Sequence, residues 1–422
     1  MQRRFFAEGI DVPQEVFQHT WANGLTLLAE SMPHVRSAAI SVLVPAGFIH
    51  DPDNQLGLVN VLSELIIRGA GERDNRALSL AMDQLGLDRD TSAGTFTFSI
   101  FGTTVARNVS KTLELFADIM RRPHLSEDEL EPIQDLAVQE LQALEDAPDR
   151  KLMVELRRRY YPYPLSKDRR GTLSGIENLD IHAIREFYQR FFRAKGAIIT
   201  VAGNIQWAEL KDQVDRLFGD WQTGPEVSVP LGPNQSTRSH IVKETTQTQI
   251  AMVFPSVPLS HADYYVAKAA VGVLSGGMSS RLFTEVREKR GLVYSVGASH
   301  ESLRDRGSIV GYAGTRNERA QETLDVMLEE FGKLAQGIEV DELDRVKAGL
   351  KSSLIMAEES TAARARALAS DWFSLGRIRS LDEIQQAVQE LKPDAIVDYL
   401  HRTPLENPSI VTLGPAPLKQ TS

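Results

Sequence analysis

The chain repeats itself. Slid along itself by about half its length, it lays Ile40-x4-Pro45 over Ile250-x4-Pro255, Thr112-Leu113 over Thr323-Leu324, Ala183-Ile184 over Ala395-Ile396, and Ile198-Ile199-Thr200-Val201 over Ile410-Val411-Thr412-Leu413. The matches keep their order and almost the same offset, which describes two tandem copies of one domain. A length of 422 residues accommodates two such units, each with its own core. Gly224-Pro225 and Gly232-Pro233 mark the joint. The expected division is therefore 1–221 for the first domain, 222–237 for a linker and 238–422 for the second.

Within a copy, Thr26–Ala29, Ala38–Val44, Thr95–Ile100 and Ala197–Ala202 are strand-like, and long amphipathic helical stretches lie between them. Strands clustered with helices, without regular β-α-β alternation, predict an α+β fold: each domain a mostly antiparallel sheet with helices packed on one face. One helix start is strongly marked. Ser126-x-x-Glu129 spells a capping box, Leu125 and Leu130 stand at the spacing of a hydrophobic staple, and Ile133, Ala137, Leu141 and Leu144 continue the apolar face.

Composition removes several kinds of chemistry. There is no cysteine, so disulfides, thiol catalysis and thiolate metal sites are excluded. Acidic residues outnumber basic ones 57 to 47, and no Lys/Arg block exceeds Arg157-Arg158-Arg159, which argues against a nucleic-acid partner. Pro45, Pro255 or charges interrupt every apolar stretch before it reaches membrane-spanning length, so no membrane span is expected. Met1–Glu8 reaches an acid before any apolar core forms; no secretory signal and a cytoplasmic location are expected. The nine histidines are scattered, no two within neighbouring helical turns, so no helix offers a zinc-gripping pair at i,i+4. A phosphate-binding loop, a dinucleotide fingerprint and a Gly-x-Ser-x-Gly elbow are all missing.

What remains is a pattern without its chemistry. Residues 56–69, Leu-Gly-Leu-Val-Asn-Val-Leu-Ser-Glu-Leu-Ile-Ile-Arg-Gly, read as an amphipathic helix ended by Gly69. Asn23-Gly24-Leu25, Pro162-Tyr163, Gly171-Thr172, Phe187-Tyr188, Val201-Ala202-Gly203-Asn204 and Gly276–Phe283 follow in order along the chain. In their order and spacing these segments resemble the insulinase/pitrilysin peptidases, particularly the mitochondrial processing peptidase group, over nearly the whole length. Two homologous α+β halves are what that family shows. Its inverted zinc motif, His-x-x-Glu-His, sets two imidazoles one helical turn apart around a metal, with the Glu activating the bound water. The corresponding positions here hold Asn60, Ser63 and Glu64. The family's third ligand is a Glu on a following helix, and Glu140 matches it at the family's spacing from the second His position. The resemblance thus implies one ligand of three, no general base, and no metal or other cofactor bound by this chain. Two carboxylates and an amide are also an oxygen set for Mg²⁺ or Ca²⁺; the plainer reading is that they pair with nearby Arg or Lys or reach water.

The second half keeps a family feature. Val286-Arg287-Glu288-Lys289-Arg290-Gly291-Leu292-Val293-Tyr294 matches the family's Arg/Tyr pair, with the family's separation, as Arg287 and Tyr294. A guanidinium and a phenol are donors suited to substrate carbonyls and a developing oxyanion. The plain readings are a basic residue closing a helix for Arg287 and a core strand position, alternating with Leu292 and Val296, for Tyr294. Thr91–Phe98 occupies the place of the family's edge strand, which takes up peptide by adding a strand; it also reads as an ordinary strand.

The resemblance implies a non-zinc subunit of a two-chain zinc peptidase. A homologous His-x-x-Glu-His partner would hold the zinc, a peptide or unfolded protein would be the substrate, and this chain alone would be inactive. A scaffold subunit like the core proteins of the cytochrome bc complex is the rival, although such a scaffold has no use for the Arg/Tyr pair. A non-catalytic peptide-binding protein is a third reading.

Overall fold

The two most apolar runs of the first copy become the centre of a sheet. In the computed structural model, which describes residues 14–225 and 228–419, Ser37–Val44 and Ile198–Gly203 lie side by side. They sit within six strands ordered Glu15–Thr20, Thr26–Ser31, Ile198–Gly203, Ser37–Val44, Phe98–Val105 and Asp88–Ala93. The second copy repeats five of these places as Arg238–Val242, Ser409–Gly414, Gln247–Ser256, Gly307–Arg316 and Val293–Ser302. Each sheet has one parallel pair, Thr26–Ser31 with Ile198–Gly203 and Arg238–Val242 with Ser409–Gly414; the other pairs are antiparallel. Met1–Glu8 and residues 226–227 of the linker lie outside the described residues.

Helices cover one face of each sheet by ordinary amphipathic logic. Val109–Arg121 sends Leu113, Phe116 and Met120 into the first core, and Ala320–Lys333 sends Leu324, Met327 and Phe331 into the second. The approach is close enough to require glycine opposite each ring. A Cβ on Gly102 would lie 2.8 Å from the ring of Phe116, and one on Gly311 would lie 2.9 Å from that of Phe331.

The other face is covered too, which the one-face expectation missed, and the cover is exchanged between halves. Pro148–Tyr160, from the first half, lies against Gln247–Ser256 and Ser409–Gly414 of the second sheet. Leu152, Leu156 and Tyr160 meet Ala251, Val253, Val411 and Leu413 there. Thr361–Leu375, its counterpart in the second half, lies against Ile198–Gly203 and Ser37–Val44, with Ala365 beside Ala39 and Ala202, and Leu368 beside Leu28 and Ile198. Along Gln247–Ser256, Ile250, Met252 and Phe254 enter one core while Ala251 and Val253 enter the other. A strand such as Ile198–Gly203, buried at every residue, needs apolar cover on both sides. Polar contacts add to the seam; among them, Thr200 Oγ1 donates to the Ala365 carbonyl at 2.9 Å, and Arg364 pairs with Glu30, both almost fully buried.

Two local expectations are corrected. The Ser126 side chain makes no capping bond; the Glu129 carboxylate accepts from Asn75 Nδ2 at 3.0 Å, while Leu125 and Leu130 are buried as a staple requires. The proposed strand Thr91–Phe98 is broken. Asp88–Ala93 ends at a tight turn, closed by Gly94 N–H donating to the Thr97 carbonyl at 2.8 Å, and Phe98 opens the returning strand. It is Asp88–Ala93 that forms the sheet edge.

Candidate functional site

The motif helix is shorter than its sequence pattern, running Leu58–Leu65. Its start is fixed by Asp51, whose buried carboxylate accepts from the backbone of Gly57 at 2.8 Å and of Val59 at 3.1 Å. Burial pushes the Asp51 carboxyl up to about 7, against the pull of those donors and of Lys167. Next to it, His50 stacks on Phe191 at 4.9 Å, and burial, with Lys167 and Arg190 adding to it, holds its imidazole down at about 4.

His50 carries a pH prediction. Unfolded, it takes up a proton below its ordinary 6.5; folded, it stays neutral until about 4. Between those values the unfolded state binds more protons, so this residue's contribution to stability is lost as pH falls through that window. His50→Gln should therefore lose less stability than the parent between pH 6.5 and about pH 4, as read from urea midpoints; parallel losses in the two proteins would contradict it.

The four motif positions do not form one cluster. Asn60 is buried and Glu140, on the neighbouring Leu130–Glu145 helix, reaches it: Asn60 Nδ2 donates to Glu140 Oε2 at 3.4 Å. Ser63 turns back into its own helix, its hydroxyl donating to the Asn60 carbonyl at 2.6 Å. Glu64, one turn along the same face from Asn60, is exposed and makes no contact with Asn60 or Glu140. The third partner is one sequence reasoning missed. Arg169 donates to Asn60 Oδ1 at 3.3 Å and to Glu140 Oε1 at 2.8 Å. Zinc does not suit this set, because an amide, a hydroxyl bound to backbone, a carboxylate already paired with guanidinium and an exposed carboxylate offer no imidazole. Among the described residues, no three His, Asp or Glu converge in a way that would hold a metal ion. Dialysed protein should accordingly contain well under one zinc per chain; elemental analysis finding about one would contradict this reading of the donors.

Arg287 and Tyr294 come together. Phe283–Glu288 is a widened helical segment, with Lys289 N–H reaching back to the Thr284 carbonyl at 2.9 Å. From it the Arg287 guanidinium lies 4.8 Å from the centre of the Phe283 ring and 5.2 Å from that of Tyr294. Glu285 is occupied by Lys289 and Arg290, and among the described residues Arg287 has no carboxylate partner. Tyr294 is not a core residue: it is 81% exposed. The reason is a bulge. Val293 pairs with Thr315 and Ser295 with Gly314, so Tyr294 has no cross-strand partner and its ring is re-aimed outward from the edge strand Val293–Ser302.

A cavity of about 570 Å³ lies where the exchanged helix Pro148–Tyr160 meets the second sheet, lined in part by Arg157, Tyr160, Tyr161, Arg170, Glu301 and Tyr312. Burial raises the Glu301 carboxyl, with the Arg157 charge opposing it, and Tyr161 is pushed up to about 12 while its hydroxyl bonds Ser308 at 2.8 Å. Its walls come from segments far apart in the chain, so no local pattern announces it. Among the described residues, no helix is long and apolar enough to cross a membrane.

Known proteins share this plan. The family profile "Insulinase (Peptidase family M16)" matches residues 26–172, and "Peptidase M16 inactive domain" matches residues 178–350. An uncharacterised zinc protease of Bacillus subtilis (strain 168) is 26% identical over 94% of this chain and 98% of its own length. One from Rickettsia bellii (strain RML369-C) is 24% identical over 93% and 96%. A crystal structure described as a peptidase M16 inactive domain from Pseudomonas fluorescens superposes with a TM-score of 0.89 at 21% identity, covering 96% of this chain and 99% of that one. A protease from Helicobacter pylori gives 0.86 at 22%, covering 96% and 100%. With both halves matched in tandem and in order, the chain belongs to the insulinase family of peptidases, family M16.

Proposed function

We propose that this chain is the non-zinc subunit of a two-chain metallopeptidase, inactive alone and completed by a homologous chain bearing His-x-x-Glu-His. The observation that carries the proposal is the pair Arg287 and Tyr294. A cation with no carboxylate partner among the described residues is held against an exposed phenol that a bulge turns outward. Both side chains are exposed, so the donors of both are open to something outside the chain.

In this reading the partner supplies the hydrolytic water and this chain supplies donors. Arg287 holds a substrate carbonyl through a charge-assisted hydrogen bond, and the Tyr294 hydroxyl points at the oxygen on which negative charge grows during attack. The strand Asp88–Ala93, unpaired on its outer side among the described residues, offers main-chain donors and acceptors to an extended peptide, which suits an unfolded or linear substrate. The test is a cleavage assay on unfolded polypeptide with this chain alone, a His-x-x-Glu-His homologue alone, and the mixture. Turnover confined to, or much larger in, the mixture is expected. Equal turnover with and without this chain, in a pair shown to be assembled, would leave only a scaffold role.

A further inference from the structure

A half-exposed guanidinium lies against both motif helices of this chain. Asn60 accepts from Arg169 through Oδ1 at 3.3 Å and donates to Glu140 through Nδ2 at 3.4 Å, while Glu140 accepts from Arg169 at 2.8 Å. The three contacts close a ring across three segments: the Leu58–Leu65 helix, the Leu130–Glu145 helix and the connection after Tyr160. Only a side chain that both donates and accepts can sit at position 60 and satisfy both neighbours, and an amide does so in one orientation. The adjacent Arg170 is not available for the task, because Asp168 binds it through both carboxylate oxygens at 2.8 and 2.9 Å.

We propose that Arg169 is a built-in cation that takes the place of the metal between these helices and keeps divalent ions out. It supplies the positive charge that Glu140 needs and, with two directed donors, the orientation that Asn60 needs. A divalent ion seated between Asn60 and Glu140 would stand beside this guanidinium and would take Glu140 from it. The site therefore resists metal in two ways: its donors are poor, and its cation is already present. This goes beyond the partner reading and stands whether or not a second chain exists.

The test uses zinc itself and no activity. In the full chain, Asn60→His, Ser63→Glu and Glu64→His together restore the ligand types, with Glu140 as the remaining protein ligand. Zinc affinity is measured by competition with a chromophoric chelator, with and without Arg169→Ala added. Removing Arg169 should tighten zinc by up to about fivefold, the weight of releasing Glu140 from a half-exposed ion pair. Equal affinity in the two backgrounds would overturn the proposal. Should the restored chain not fold, the native chain decides through Arg169→Ala, Glu140→Gln and their combination. The combined fall in thermal midpoint should be smaller than the sum of the single falls, because one interaction is removed twice. Strictly additive falls would overturn the proposal.

Discussion

Arg364→Met should destabilise the chain by about 3–5 kcal/mol, the usual cost of leaving a buried charge without its partner. Arg364 Nε lies 3.0 and 2.9 Å from the two oxygens of Glu30, and Nη2 lies 2.8 Å from the nearer one. The two side chains are only 4% and 6% exposed, so little water replaces the lost guanidinium; Gln14 Nε2, at 3.3 Å, is a weak substitute. The pair also joins the halves, since Glu30 belongs to the first sheet and Arg364 to the helix that crosses to cover it. Adding Glu30→Met to Arg364→Met should restore most of the loss, because an apolar pair carries no desolvation penalty. Arg377→Ala is the control. Its carboxylate partner Glu383 is equally close, at 2.6 Å, but the two are 56% and 43% exposed, and a pair in water is worth at most about 1 kcal/mol. Urea midpoints of the parent and these three variants check this; similar losses for Arg364→Met and Arg377→Ala would show that burial of the seam pair does not govern its value.

The repeat was legible because it is written in local order. Ile40 and Ile250, or Ile198 and Ile410, lie on matching central strands, and reading them needs no knowledge of what they touch. The exchange of covering helices was not legible, because the apolar side chains of Pro148–Tyr160 serve a distant sheet as well as they would serve their own. The nearly unbroken apolar run Ile198–Gly203, which the fold buries at every residue, was an available hint that both faces needed cover. At the candidate site, the family resemblance brought Asn60 and Glu140 together but not Arg169, whose partners lie 109 and 29 residues away and which is indistinguishable on paper from Arg170 beside it. Tyr294 illustrates a different limit. Strict alternation puts it with Leu292 and Val296 on one face; a single extra residue in the register reverses that, and turn or bulge geometry is not contained in a period-two pattern.

The second large effect is on turnover. In an assembled pair, Arg287→Ala should raise KM and lower kcat together, because a charge-assisted donor that holds a substrate carbonyl serves both ground and transition states. It also removes the cation lying 5.2 Å from the Tyr294 ring, so some of its effect would pass through Tyr294. Arg287→Lys keeps the charge but loses the planar fork, and should recover binding better than turnover.

Tyr294→Phe isolates the central claim, since it deletes one hydroxyl, keeps the ring against Arg287 and alters a side chain that is 81% exposed. Folding and pairing should be unaffected. The decisive measurement is kcat of the pair, reconstituted with a His-x-x-Glu-His homologue, alongside its thermal midpoint. A fall in kcat of about 10²-fold at an unchanged midpoint is expected if the hydroxyl meets the developing oxyanion. Unchanged kcat in a pair shown to be assembled would contradict the catalytic assignment and leave this chain a scaffold.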